Sequence, residues 1–78
     1  MRSIHTGAHR RLVQRIREAR EKRGLTQVEV AAKLRRPQSF VSAVESGERR
    51  IDVVELYELA KLYRVPLSWF VEAVEGKR

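Results

Sequence analysis

Apolar positions recur along this chain at helical spacing, and no stretch alternates with the two-residue period of a strand. Leu12, Ile16 and Ala19 stand at i, i+4 and i+7, which predicts a first helix over about 8–22, ending at Gly24. Thr26 with Glu29 three residues on reads as a capping box, and Val30, Ala31 and Leu34 give the short helix behind it an apolar side. Arg35-Arg36 turns the chain, and Pro37 opens a third helix to about Glu45 with Val41 and Val44 inward; Gly47 stops it. Asp52 and Glu55 repeat the capping arrangement for a fourth helix lined by Leu56, Leu59, Ala60 and Tyr63. After the Val65-Pro66 break, Leu67, Phe70, Val71 and Val74 make the stripe of a fifth. The expected fold is all-α, five short helices.

At 78 residues the chain is expected to be one domain, 1–78, with residues 1–7 a disordered tail ahead of it. Cysteine is absent, which removes disulfides, thiolate zinc sites and cysteine nucleophiles together. No apolar run exceeds three residues, so neither a transmembrane helix nor a signal-peptide core is expected, and the default location is cytoplasmic.

Charge changes the picture. Lys and Arg number 17 against 10 acidic residues, a net +7. Residues 1–36 hold eleven Lys/Arg and three Glu, net +8, while residues 37–78 hold six basic and seven acidic, net −1. A one-sided basic field favours a polyanion, nucleic acid before membrane. A solvated helix face that keeps a small protein soluble would look the same without a motif.

The motif lies between Thr26 and Gly47. A capped short helix, a brief turn and a second short helix have the geometry of a helix-turn-helix, whose second helix presents its outer face to base edges in the major groove. The outward positions of that second helix are Gln38, Ser39, Ser42, Ala43 and Ser46, short or amide-bearing and uncharged. A solvated face more often carries Lys and Glu, so this one suits contact with something else.

These residues resemble a known family. Leu25-Thr26-Gln27-Val28-Glu29-Val30-Ala31-Ala32-Lys33-Leu34, then Pro37-Gln38-Ser39-Phe40-Val41-Ser42 and Glu45-Ser46-Gly47-Glu48-Arg49, are similar to the Cro/C1-type (XRE-like, lambda-repressor-like) helix-turn-helix. Leu59-Ala60 and Val65-Pro66-Leu67 match its fourth and fifth helices, so the resemblance covers about residues 10–74. It implies a transcriptional regulator, a repressor acting as a homodimer on a palindromic operator in double-stranded DNA, with no cofactor and no metal. Gln38 would be the main base reader, able to bond adenine N6 and N7 as a bidentate pair, with Ser39, Ser42 and Ala43 beside it. Gln27 would bond a phosphate and brace Gln38, and Ser46, Arg49 and Arg50 would hold the backbone; outside the resemblance, the Arg35-Arg36 pair of the turn either reaches phosphate, Arg36 foremost, or is solvated. Leu67, Trp69 and Val71 would form the dimer contact; alternatively Trp69 covers the edge of the core.

In the family the glutamate at Glu45 pairs with an arginine of the first helix, here Arg20. An exposed pair would contribute about 0–1 kcal/mol, whereas breaking a half-buried one would cost about 3–5 kcal/mol. Two positions depart from the pattern. Arg35 stands where the turn usually has glycine, at roughly 1 kcal/mol for a left-handed backbone, so a reshaped turn is expected. Phe40 replaces something small and either contacts DNA or packs beneath the turn.

Other readings have less support. No two glycines lie within ten residues of each other, so there is no Gly-rich phosphate loop. His5 and His9 have metal-ligand spacing on a helix, yet no third ligand accompanies them. No serine has a histidine partner in pattern, so an enzyme is not expected. The arginines of the first helix circle it and lack bulky apolar anchors for an anionic surface. The main alternative keeps the fold and makes the chain an antitoxin or accessory subunit that binds a partner protein as well as DNA.

Overall fold

The computed structural model describes residues 6–77. Among them five helices follow one another: α1 Gly7–Lys22, α2 Gln27–Leu34, α3 Gln38–Ser46, α4 Val53–Tyr63 and α5 Leu67–Glu75, with no strand. Both expected capping boxes form. Thr26 and Asp52 each accept the N–H of the glutamate three residues on, and that glutamate accepts the cap's own N–H. Helices α3 and α5 begin instead behind Pro37 and Pro66, each in extended backbone and without a side-chain cap. Of the expected tail over 1–7, residues 1–5 lie outside the described residues; Thr6 caps α1, accepting from His9 N at 3.1 Å, and Gly7 begins it.

Left-handed residues end four helices, and two of them are arginines: Arg35 after α2 and Arg64 after α4. The turn expected to be reshaped at Arg35 is not. Arg35 itself adopts φ 57°, ψ 45°, and the Arg36 N–H closes on Ala31 O at 3.0 Å. This Schellman-type closure satisfies the last carbonyls of α2 and offsets the steric cost of a Cβ there.

α1 packs against α5, α3 and α4, and the α2–α3 pair closes the other side. Ile16, Val30, Tyr63 and Phe70 are the largest fully buried side chains, joined by Ala19, Ala31, Phe40, Val41, Val44, Leu56, Leu59 and Ala60. The stripe expected on α5 shifts. Phe70 and Ala73 face inward and Leu67 is half-buried, while Val71 and Val74 are exposed. The reason is close packing against α1, which buries the small Ala73 side chain and lets Arg11 reach the Ala73 and Val74 carbonyls, both at 2.9 Å. Among the described residues no helix is long and apolar enough to cross a membrane.

Candidate nucleic-acid interface

The 3.6-residue turn of α3 separates its residues cleanly. Phe40, Val41, Val44 and Glu45 turn into the protein; Gln38, Ser39, Ser42 and Ser46 are exposed and Ala43 half-exposed. The outward face is therefore uncharged over its whole length and polar except at Ala43. Ser46 donates to Ala43 O at 3.0 Å, and its oxygen receives the Glu48 N–H at 3.4 Å, so its hydroxyl shapes the end of the helix.

Beneath that face lies the ion pair anticipated for Glu45. Arg20 donates Nε to Glu45 Oε2 at 2.7 Å and Nη2 to Oε1 at 3.0 Å, while its Nη1 bonds Leu25 O at 2.8 Å. The side chains are 12% and 4% exposed, so this is a buried, bidentate pair. Its hydrogen bonds to Glu45 hold the Arg20 guanidinium above its ordinary pKa against the opposing effect of burial. Removing one partner would strand a buried charge, at about 3–5 kcal/mol. Glu45 also accepts from Gln27 Nε2 at 3.1 Å, and Gln27 Oε1 in turn accepts from Gln38 Nε2 at 3.3 Å. A continuous hydrogen-bonded line thus runs from α1 to the first residue of α3.

A second carboxylate organises the other side. Glu55, with a side chain 8% exposed, takes Arg49 Nη1 and Nη2 at 3.0 and 3.2 Å, Arg36 Nη2 at 3.0 Å and the Asp52 N–H at 3.1 Å. Burial works to raise its pKa, but hydrogen bonds from Arg49 and Asp52 and the charges of Arg49 and Arg36 outweigh it, leaving the carboxyl below the usual range. Both guanidinium groups lie over the Phe40 ring, Arg36 at 4.3 Å and Arg49 at 4.7 Å from its centroid. Phe40 therefore packs beneath the turn, capped by two cations. Arg36 and Arg49 stand at either end of α3 but give part of their donors to Glu55; the Arg50 side chain is exposed and makes no ion pair among the described residues.

A family model described as helix-turn-helix matches residues 16–70. The chain belongs to the Cro/C1-type helix-turn-helix family of DNA-binding regulators. No curated protein matches it. The matched span holds α2, the turn and α3, with the lambda-repressor-like five-helix fold around them.

Around this helix-turn-helix pair, the basic residues of α1 divide in a way their sequence did not disclose. Arg11 and Arg15 tie α5 to α1: Arg15 bonds Trp69 O at 2.7 Å and Lys77 O at 3.3 Å and covers the Trp69 ring at 4.7 Å. Arg17 pairs with Glu21 at 3.2 Å. These arginines spend donors within the protein, on main-chain carbonyls of α5 and Lys77 and on the Glu21 carboxylate. Trp69 is consequently half-buried against the core, with Phe70 at 5.4 Å, while Val71 stays exposed and Leu67 half-buried. His9 Nε2 donates to Gly47 O at 3.3 Å, joining α1 to the end of α3; the pairing considered for it with His5 lies outside the described residues. The Glu55 cluster, too, was missed by sequence patterning. Asp52 and Glu55 signalled a cap, and nothing in their spacing announced two arginines from elsewhere.

Proposed function

We propose that this regulator is a repressor binding a palindromic operator as a homodimer, with α3 in the major groove. Gln38 is the main base reader, accompanied by Ser39, Ser42 and Ala43. Arg36, Arg49 and Arg50 hold the phosphate backbone, and Gln27 meets it through its backbone N–H at the start of α2, its side chain being engaged by Glu45 and Gln38; the Ser46 hydroxyl gives its one hydrogen to Ala43 O and stays with the helix end. The observation that carries this reading is the uncharged polar face of α3, whose leading amide, Gln38, is braced by Gln27. A face built for solvent would have no reason to brace a glutamine. Leu67 and Val71 supply apolar surface for a second copy, and Trp69 packs against the core beside them.

Selection of bound duplexes from a random library at two salt concentrations tests it. An enriched inverted repeat with half-sites about one helical turn apart is expected, and Arg50→Ala should lower the salt slope by about one unit without altering the preferred sequence. Binding without enrichment, lost steeply with salt, would reduce the interface to a basic surface. A second reading, an accessory subunit beside a partner protein, is favoured by Val53, Val54 and Tyr57 of α4, which are 65%, 63% and 52% exposed. It predicts a stable heteromeric complex in place of a symmetric dimer.

A further inference from the structure

The hydrogen-bonded line from Arg20 to Gln38 has a direction. A carboxylate can only accept, so Glu45 Oε1, already holding Arg20 Nη2, requires Gln27 to turn its NH₂ inward. That leaves Gln27 Oε1 as the outward atom, and only a donor can meet it. Gln38 supplies one N–H at 3.3 Å. What Gln38 retains is one N–H and its carbonyl oxygen, an adjacent donor and acceptor in a set order. Each amide in the line is oriented by the one beneath it, and the first is oriented by charge.

We infer that Glu45 is a specificity-positioning residue, which through Gln27 polarises the Gln38 amide to read adenine and refuse guanine. The inference rests on Gln38 being the base reader. Adenine presents an N6 donor beside the N7 acceptor, matching the remaining carbonyl and N–H. Guanine presents two acceptors, O6 and N7, so the oriented carbonyl would face O6, lone pair against lone pair. An unbraced glutamine has both N–H groups to turn and no fixed order, and it discriminates less. The ion pair that ties α1 to α3 thereby also fixes the polarity of the amide that reads the DNA.

The test uses the full chain, the selected operator and a copy in which the A·T pair facing Gln38 is replaced by G·C, and it reads the ratio of the two dissociation constants. Gln27→Met keeps the Arg20–Glu45 pair while severing the line. It should shrink the ratio by roughly fivefold or more, within the range that a bidentate amide–adenine pair provides. Glu45→Gln, which can offer either an oxygen or an N–H to Gln27, should shrink it similarly, and its melting temperature reports any loss of fold separately. A purely structural Glu45 would weaken both duplexes alike and leave the ratio where it was. Gln38→Ala, measured in parallel, separates two failures. If it abolishes the ratio while Gln27→Met leaves it intact, the line does not act and the reading helix stands. If Gln38→Ala also leaves the ratio intact, or if selection returns a base other than adenine there, the assignment of Gln38 falls and the inference with it.

Discussion

Tyr63 carries a polar atom that the core does not accommodate. The residue is 1% exposed, and its Oη has no hydrogen-bond partner among the described residues. Burial pushes the phenol pKa well up, the nearby Glu45 carboxylate adds to this, and Arg20 opposes it. A buried unsatisfied hydroxyl costs about 1–3 kcal/mol, so Tyr63→Phe should keep or raise the melting temperature at neutral pH. The sign of the alkaline effect follows from the raised folded value. Stability from the protonated phenol is complete below the unfolded pKa of 10.0 and is lost as pH rises beyond it. The Tyr63→Phe variant should therefore lose less stability in alkali, and in the native protein phenolate absorbance from Tyr63 should appear only with unfolding. A marked drop in melting temperature on removing the hydroxyl would mean that it is bonded after all.

Individual helices begin and end by devices that a substitution can address one at a time. Arg35 and Arg64 hold left-handed backbone that glycine adopts without a Cβ penalty. Arg35→Gly and Arg64→Gly should each raise stability, by about 0.5–1 kcal/mol once the extra freedom of glycine in the unfolded chain is discounted. Denaturant midpoints compared with the parent chain would check this. A loss at Arg35 would indicate that its side chain makes a contribution outweighing the backbone cost. The start of α3 is different in kind. Pro37 sets the entry angle and provides no capping side chain, and Gln38, the first residue of the helix, is left exposed.

At the scale of the whole molecule, the apolar core is joined by a few charged side chains that link elements distant in the chain. Arg11 and Arg15 close α5 onto α1, Arg20 and Glu45 join α1 to α3, and Glu55 joins the two ends of α3 to α4. Glu55 makes this architecture sensitive to acid. Its folded pKa lies below the ordinary value of 4.5, so the stability it contributes is present above that pH and is lost as pH falls through the folded value. Thermal unfolding followed from neutral pH into acid should show a declining melting temperature in that window. Glu55→Gln should be less stable at neutral pH and show a shallower decline. An unchanged acid slope would place the sensitivity at another carboxylate.

The apolar period, the two capping boxes and the glycine and proline punctuation determined five helices and nearly all their boundaries, because each of these signals acts within one or two turns of chain. The outward face of α3 was legible for the same reason, since a 3.6-residue repeat separates Gln38, Ser39 and Ser42 from Val41 and Val44 without reference to anything else. Val71 and Val74 were misplaced because the rotation of α5 depends on how closely α1 approaches it. Phe40 could not be placed from sequence, because its cover comes from Arg36 and Arg49, which meet only once α4 brings Glu55 between them. The division of the arginines had the same origin. A guanidinium reaches several ångströms past its Cβ, and whether it meets a carboxylate, a helix end or solvent is decided by which helix is packed beside it.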